Sequence, residues 1–183
     1  MIKANEVTLY SGGARGAETV FGETAEKYGV KEVNFTFQGH HLNRSSGTVL
    51  LTAEELSKAD MIMNEVGRRL NRDYSTRPWM RSILQSICHQ VNKGYQVFVV
   101  GAIQGDQTVK GGTGWAAELA KLFNRPLSVY DQDQKGWYAF HGGTWIKEEP
   151  FIQHYNICGT GTRHLNEAGE AAIKELFARS FGG

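Results

Sequence analysis

Two periodicities of apolar residues take turns along the chain, and their alternation predicts its elements. Residues 6–10 (EVTLY) read as a short strand that runs into a glycine cluster, and 18–28 read as a helix stopped by Gly29. Residues 32–37 make a second strand of alternating character. The polar stretch 38–51, with His40, His41 and Asn43, reads as a surface loop. Thr52-Ala53-Glu54-Glu55 is a capping-box pattern that opens a short helix, and 61–71 continues as helix with Arg68, Arg69 and Arg72 at its basic end. Pro78 suits the first turn of a further helix, on which Trp79, Ile83, Ile87 and Val91 recur every four residues and mark a core face ended by Gly94. Residues 96–101 (QVFVVG) are almost wholly apolar and read as a buried strand. Beyond it, 115–123 is helical, 127–130 a short strand, and 136–147 a hairpin turning at His141-Gly142-Gly143. The tail gives a strand near 153–157, a loop over 159–163 and a final helix over 166–179.

Strand and helix alternating in this way predict an α/β fold, a Rossmann-like three-layer sandwich on a mostly parallel sheet, with a C-terminal hairpin and a strand–helix addition. At 183 residues the chain reads as a single domain over 1–183, with no repeat, linker or low-complexity tract. The 22 glycines against 3 prolines favour tight backbone-lined loops. A net charge of +1 gives no global field toward DNA, RNA or anionic membranes, so neither nucleic acid nor membrane is expected as a partner. Cys88 and Cys158 have no metal-like spacing and are too few for a disulfide scaffold, and no run of about 18 apolar residues occurs. The expectation is a soluble cytoplasmic protein with no cofactor and no metal.

Two segments share one plan, an apolar strand, then glycines, then a helix. The first carries Ser11-Gly12-Gly13-Ala14-Arg15-Gly16-Ala17-Glu18 and the second Gly111-Gly112-Thr113-Gly114-Trp115-Ala116-Ala117-Glu118. Free N–H groups and a positive helix dipole make such junctions anion sites, and glycine lets backbone approach a phosphate closely. Neither segment has the dinucleotide fingerprint or the P-loop lysine, which disfavours a dinucleotide redox enzyme and a P-loop NTPase. The candidate ligand-binding residues are Ser11, Gly12, Gly13, Ala14, Arg15, Gly16, Gly111, Gly112, Thr113, Gly114 and Trp115.

The first segment resembles the SGGARGAD loop of the SLOG superfamily, which includes DNA-processing protein A and the Lonely guy, lysine-decarboxylase-like phosphoribohydrolases. The second is similar to the phosphoribohydrolase signature of two glycines, any residue, glycine, threonine, two residues and glutamate, with Trp115 where those enzymes carry threonine. The resemblance spans about residues 6–131. It implies a nucleotide-type small-molecule ligand, a homodimer, and a sensing or sequestering role. It also leaves open nucleoside-monophosphate N-glycosidase chemistry, in which Glu118 stabilises a cationic sugar and activates water. Glu118 is therefore the candidate catalytic residue, or else an i,i+3 partner of Lys121. Arg15 either clasps phosphate or lies on a turn, and Glu18, at the start of the first helix, reads as favouring the helix dipole. Loop 159–163 either offers Thr160, Thr162 and Arg163 to a ligand or is only a turn. Single-stranded-DNA binding, a third reading by analogy, meets no support in the net charge.

Overall fold

In the computed structural model, which describes residues 1–74 and 77–182, local signals place most helix ends. Strand β1 (Thr8–Ser11) follows a 3₁₀ turn at Ala4–Glu6 and leads through the first glycine segment into α1 (Ala17–Tyr28). Gly29 ends α1 in the left-handed region (φ 74°), its N–H returning to the Ala25 carbonyl. Next come β2 (Lys31–Thr36), β3 (Thr48–Leu50) and α2 (Ala53–Ser57). The capping box of α2 is complete, with Thr52 Oγ1 accepting from Glu55 N–H at 3.1 Å and Glu55 Oε2 from Thr52 N–H at 2.7 Å. α3 (Asp60–Leu70) and α4 (Pro78–Lys93) precede the buried strand β4 (Gln96–Gly101), and α5 (Thr113–Leu122) leads to β5 (Leu127–Asp131). The hairpin β6 (Gly136–His141) and β7 (Thr144–Lys147) turns at the two glycines, and β8 (Asn156–Gly161) with α6 (Glu167–Phe181) closes the chain.

The eight strands form one sheet in the order β3-β2-β1-β8-β4-β5-β6-β7, parallel except for the β5–β6 and β6–β7 pairs. Period-two alternation divides the core. Val97 and Val99 of β4 face α3, α4 and α5, whereas Phe98 and Val100 face α1 and α6. Helices on both faces make the Rossmann-like three-layer sandwich. No helix among the described residues is long and apolar enough to cross a membrane.

Three expectations are corrected. Residues 48–50, read as loop, form the short edge strand β3, all three exposed. The tail strand lies at Asn156–Gly161, so Gly159, Thr160 and Gly161 belong to the strand and not to a loop. Trp79, read with the core stripe of α4, is 44% exposed: it stands in the first turn of the helix and lines a cavity, whereas Leu84, Ile87 and Val91 farther along are buried.

From β1 the chain winds outward through β2, and from β4 it winds the other way through β5, so the sense of winding reverses between β1 and β4. The crevice beyond the carboxyl ends of the strands at such a reversal is where α/β sheets bind ligands. Here β8 fills the gap between β1 and β4 and sends its own loop into that crevice.

Candidate functional site

Both glycine segments and the end of β8 open onto one cavity of about 590 Å³. Of the sequence-predicted residues, Gly12, Ala14, Gly111, Gly112 and Thr113 line it. Ser11, Gly13, Arg15, Gly16, Gly114, Trp115 and Glu118 do not. Ser11 is buried and donates to the Gly159 carbonyl at 2.6 Å, fastening β1 to β8. The Gly13 carbonyl accepts from Asn43 and Arg44 N–H at 2.9 and 3.1 Å, which ties the 38–47 stretch onto the loop. Arg15 is exposed. Trp115 is core, 5% exposed and 6.2 Å from the Tyr74 ring. Glu118 pairs with Lys121 at 3.4 Å, and that ammonium also donates to the Gln107 carbonyl and lies over Phe140.

The two junctions differ in what their amides meet. In the first, the loop's own Glu18 folds back as the anion. It accepts from Ala14 N–H at 3.1 Å and from the Thr160 hydroxyl at 3.2 Å, and the Gly12 amide also acts on it. Ala17 N–H is taken by the Thr162 carbonyl at 3.0 Å. Glu18 is 7% exposed, and burial pushes its carboxyl above the ordinary value in spite of those donors and the nearby Arg163. Gly12 is required here by close approach. A Cβ on it would stand 2.6 Å from Gln90 Nε2 and 3.0 Å from Glu18 Oε1.

The second junction is open. Gly112, at the N-cap of α5, offers no side-chain cap, and among the described residues no protein acceptor takes the N–H of Gly111, Gly112 or Thr113. Nothing lies within 4 Å of where a Cβ would stand on Gly111 or Gly112. Arg72 aligns this loop, donating to the Gly111 carbonyl at 2.7 Å and the Val109 carbonyl at 3.2 Å. A trans peptide sets N–H opposite C=O, so the Gly112 N–H points away from Arg72. Lys110 and Arg163 add cationic side chains to the cavity, and Asp133 an acidic one.

Opposite the loops, α4 supplies an apolar wall from Trp79, Met80, Ile83, Leu84 and Ile87. The Arg163 guanidinium lies 5.5 Å from the centre of the Trp79 ring, a cation–π contact of about 0.5–1 kcal/mol at an exposed site. His40 stacks on Phe37 at 4.6 Å and shares a hydrogen bond with Thr36 Oγ1 at 3.0 Å. Burial, then the Arg163 charge and His41, lower its pKa and favour the neutral ring. At the floor, Gln90 is 2% exposed and its Oε1 has no hydrogen-bond partner among the described residues. Leaving such a group unpaired costs about 1–3 kcal/mol.

Sequence reasoning assigned no ligand role to Glu18, His40 or Gln90, and read Trp79 as core. One signal was available for Glu18. It falls on the buried face of α1 with Phe21 and Ala25, and Phe21 and Gly22 stand where an i,i+3 or i,i+4 cation would be needed to pair it. Gln90 carried none, since a glutamine on a helix is ordinary until its neighbours are known. His89, one position earlier, hydrogen-bonds the Glu55 carbonyl at 2.8 Å and serves packing. Among the described residues, no group of three or more His, Cys, Asp or Glu is placed to hold a metal ion.

No protein-family model, curated protein or solved structure matches this chain.

Proposed function

We propose that this protein binds a nucleotide or a nucleotide-derived small molecule in the cavity between α1, α4 and α5, as a sensor or sequestering protein. The observation that carries the reading is the pairing of two unlike surfaces in one cavity. The uncapped N-terminus of α5, with Lys110 and Arg163, suits a phosphate, and the α4 wall with its half-exposed Trp79 suits a planar base. The volume falls within the range of about 300–1,000 Å³ usual for small-molecule sites. The likeness of the first glycine segment to the SLOG superfamily supports the same class of ligand.

A second reading is N-glycosidic hydrolysis, in which water adds at the anomeric carbon and the base leaves with a proton. Glu118 lies outside the cavity and is engaged by Lys121, so the carboxylate that favours this reading is Glu18. One experiment addresses both readings. Wild type, Glu18→Gln and Glu118→Gln are incubated with nucleoside mono-, di- and triphosphates, binding is followed by calorimetry, and products are identified by mass spectrometry. The expected result is binding of at least one nucleotide that is recovered intact. Free base released by wild type and by Glu118→Gln but not by Glu18→Gln would establish the hydrolase instead. No heat and no turnover with any member would overturn nucleotide recognition.

A further inference from the structure

The phosphate-type pole and the apolar wall account for two sides of the cavity, and the floor differs from both. Gln90, 2% exposed, continues the stripe of α4 that carries Ile83 and Ile87, so the wall suited to a planar group ends in a carboxamide. The two atoms of that carboxamide are not equivalent. Oε1 is closed off from the cavity, whereas Nε2 is open to it and donates to no acceptor among the described residues. Nε2 and Glu18 Oε1 crowd one spot, 2.6 and 3.0 Å from where a Cβ on Gly12 would stand, so the missing Cβ lets a donor and an acceptor stand side by side. Glu18 accepts from the Gly12 and Ala14 amides and the Thr160 hydroxyl. A carboxylate has about four lone-pair sites, which leaves room for one more donor. The floor therefore gives one hydrogen bond through Gln90 and takes one through Glu18.

We infer that the floor of the cavity reads a nucleobase by its lactam edge, a ring carbonyl accepting from Gln90 Nε2 while the adjacent ring N–H donates to Glu18. This rests on the nucleotide reading and narrows it to the oxo bases, hypoxanthine, guanine and uracil. Adenine and cytosine carry the opposite order, an amino group beside a bare ring nitrogen. On this floor they set donor against donor and acceptor against acceptor. Reach favours the base over the ribose as the group that arrives here. Glu18 follows β1 and the open amides follow β4, and β8 lies between the two strands, so the floor and the anion pole are about two strand spacings apart, ~10 Å. The ribose hydroxyls of a nucleotide lie near midway between its phosphate and the far edge of its base. With the phosphate on the α5 amides, it is the base edge that spans to Gln90 and Glu18. A mismatched base leaves buried polar groups unpaired in the complex, and sites of that kind reject the wrong analogue far more strongly than an apolar pocket rejects a missing methylene.

Calorimetric titration of the wild-type protein with IMP, GMP, UMP, AMP and CMP at pH 8 tests this. The expected result is that IMP exceeds AMP, or UMP exceeds CMP, by about tenfold or more in affinity, with GMP siding with IMP if purines bind. Gln90→Met, which keeps length and removes the donor, should cut that preference to a few-fold while the variant melts no lower than wild type. Oxo and amino members that bind within twofold of one another, or amino members that bind tighter, would overturn the inference and leave the nucleotide reading standing. So would a preference for the oxo bases that Gln90→Met leaves unchanged. Absence of binding by the whole panel would overturn both. Should Gln90→Met fail to fold, the wild-type series decides alone.

Discussion

Glu18 and Glu118 each follow a glycine cluster, Glu18 as the second residue of α1 and Glu118 as the sixth of α5, and their neighbours send them to different fates. Lys121, three residues beyond Glu118, draws that carboxylate away from the cavity, and Lys121 is held in turn by the Gln107 carbonyl and the faces of Phe140 and Trp145. Glu18 has no such partner in its own helix and turns back onto the amides of its loop. Motif spacing was equally visible for both. What separates them is which side chains surround them in three dimensions, so the loops were legible in the sequence and the carboxylate facing the cavity was not. The burial of Glu18 has a measurable consequence. Its carboxyl binds a proton more tightly in the native state than at the ordinary value of 4.5 in the unfolded chain. The stability it contributes is therefore full below about pH 4.5 and lost as pH rises through the native pKa. Glu18→Gln removes this titration, so the melting temperature of the variant should gain on that of wild type as pH is raised from 4.5, and the two curves should run parallel once Glu18 is fully ionised. Scanning calorimetry at half-unit pH steps measures the gap. A gap that is constant from pH 4 to 8 would mean that the carboxylate is as well solvated in the native protein as in the unfolded chain.

At the scale of elements, the sequence located what repeats and missed what does not. Helices α1, α2, α4 and α5 and strand β4 carry an apolar period, a cap or a glycine stop, and each was read within a few residues of its place. β3 has three residues, all exposed, and offers no alternation to read. β8 was misplaced because Gly159-Thr160-Gly161 looks like a turn. It is strand because Gly159 lies against Phe21 and Leu9, where a Cβ would stand 2.6 Å from the Phe21 ring. Arg72, read only as the basic end of α3, turns out to brace the second glycine loop through two carbonyls 37 and 39 residues away. Charge-assisted hydrogen bonds of this kind contribute about 1.5–3 kcal/mol where they are sheltered from water. Losing them should release the loop without melting the helix behind it. Arg72→Met should accordingly speed hydrogen exchange at the hydrogen-bonded amides of the loop, Lys110, Gly114 and Trp115, about tenfold or more, leave those of α1 unchanged, and weaken whichever nucleotide binds. Exchange unaltered by the substitution would show that the turn bonds from Gly114 and Trp115 N–H to Gly111 and Gly112 carbonyls hold the loop by themselves.

For the molecule as a whole, chain order and spatial order disagree at the most consequential place. The strand–helix unit that reads as an addition at the end of the chain supplies the strand at the centre of the sheet, hydrogen-bonded to β1 on one side and β4 on the other. It also delivers Thr160 to the floor of the cavity and Arg163 to its rim, so the site cannot be completed before the last strand is in place. Ile157 of β8 and Ile173, Leu176 and Phe177 of α6 are all fully buried against α1, β1 and β4. Burying each such side chain contributes about 1.5–3 kcal/mol, and the four together about 6–12 kcal/mol. That is comparable with the entire margin of about 5–15 kcal/mol by which domains of ordinary size are stable. A chain cut after Lys147 retains seven of the eight strands, yet its β1 and β4 lose their shared neighbour and the inner faces of Leu9, Phe98 and Val100 lose their cover. The truncated chain should show no cooperative thermal transition by circular dichroism and should be digested by trypsin under conditions that the full chain survives. Supplying residues 148–183 as a separate peptide should restore both properties, because the missing interactions are noncovalent and lie at one continuous cleft. A 1–147 fragment that unfolds cooperatively by itself would mean that β1 and β4 can pair directly, and would make the final unit a true addition to a sheet already complete.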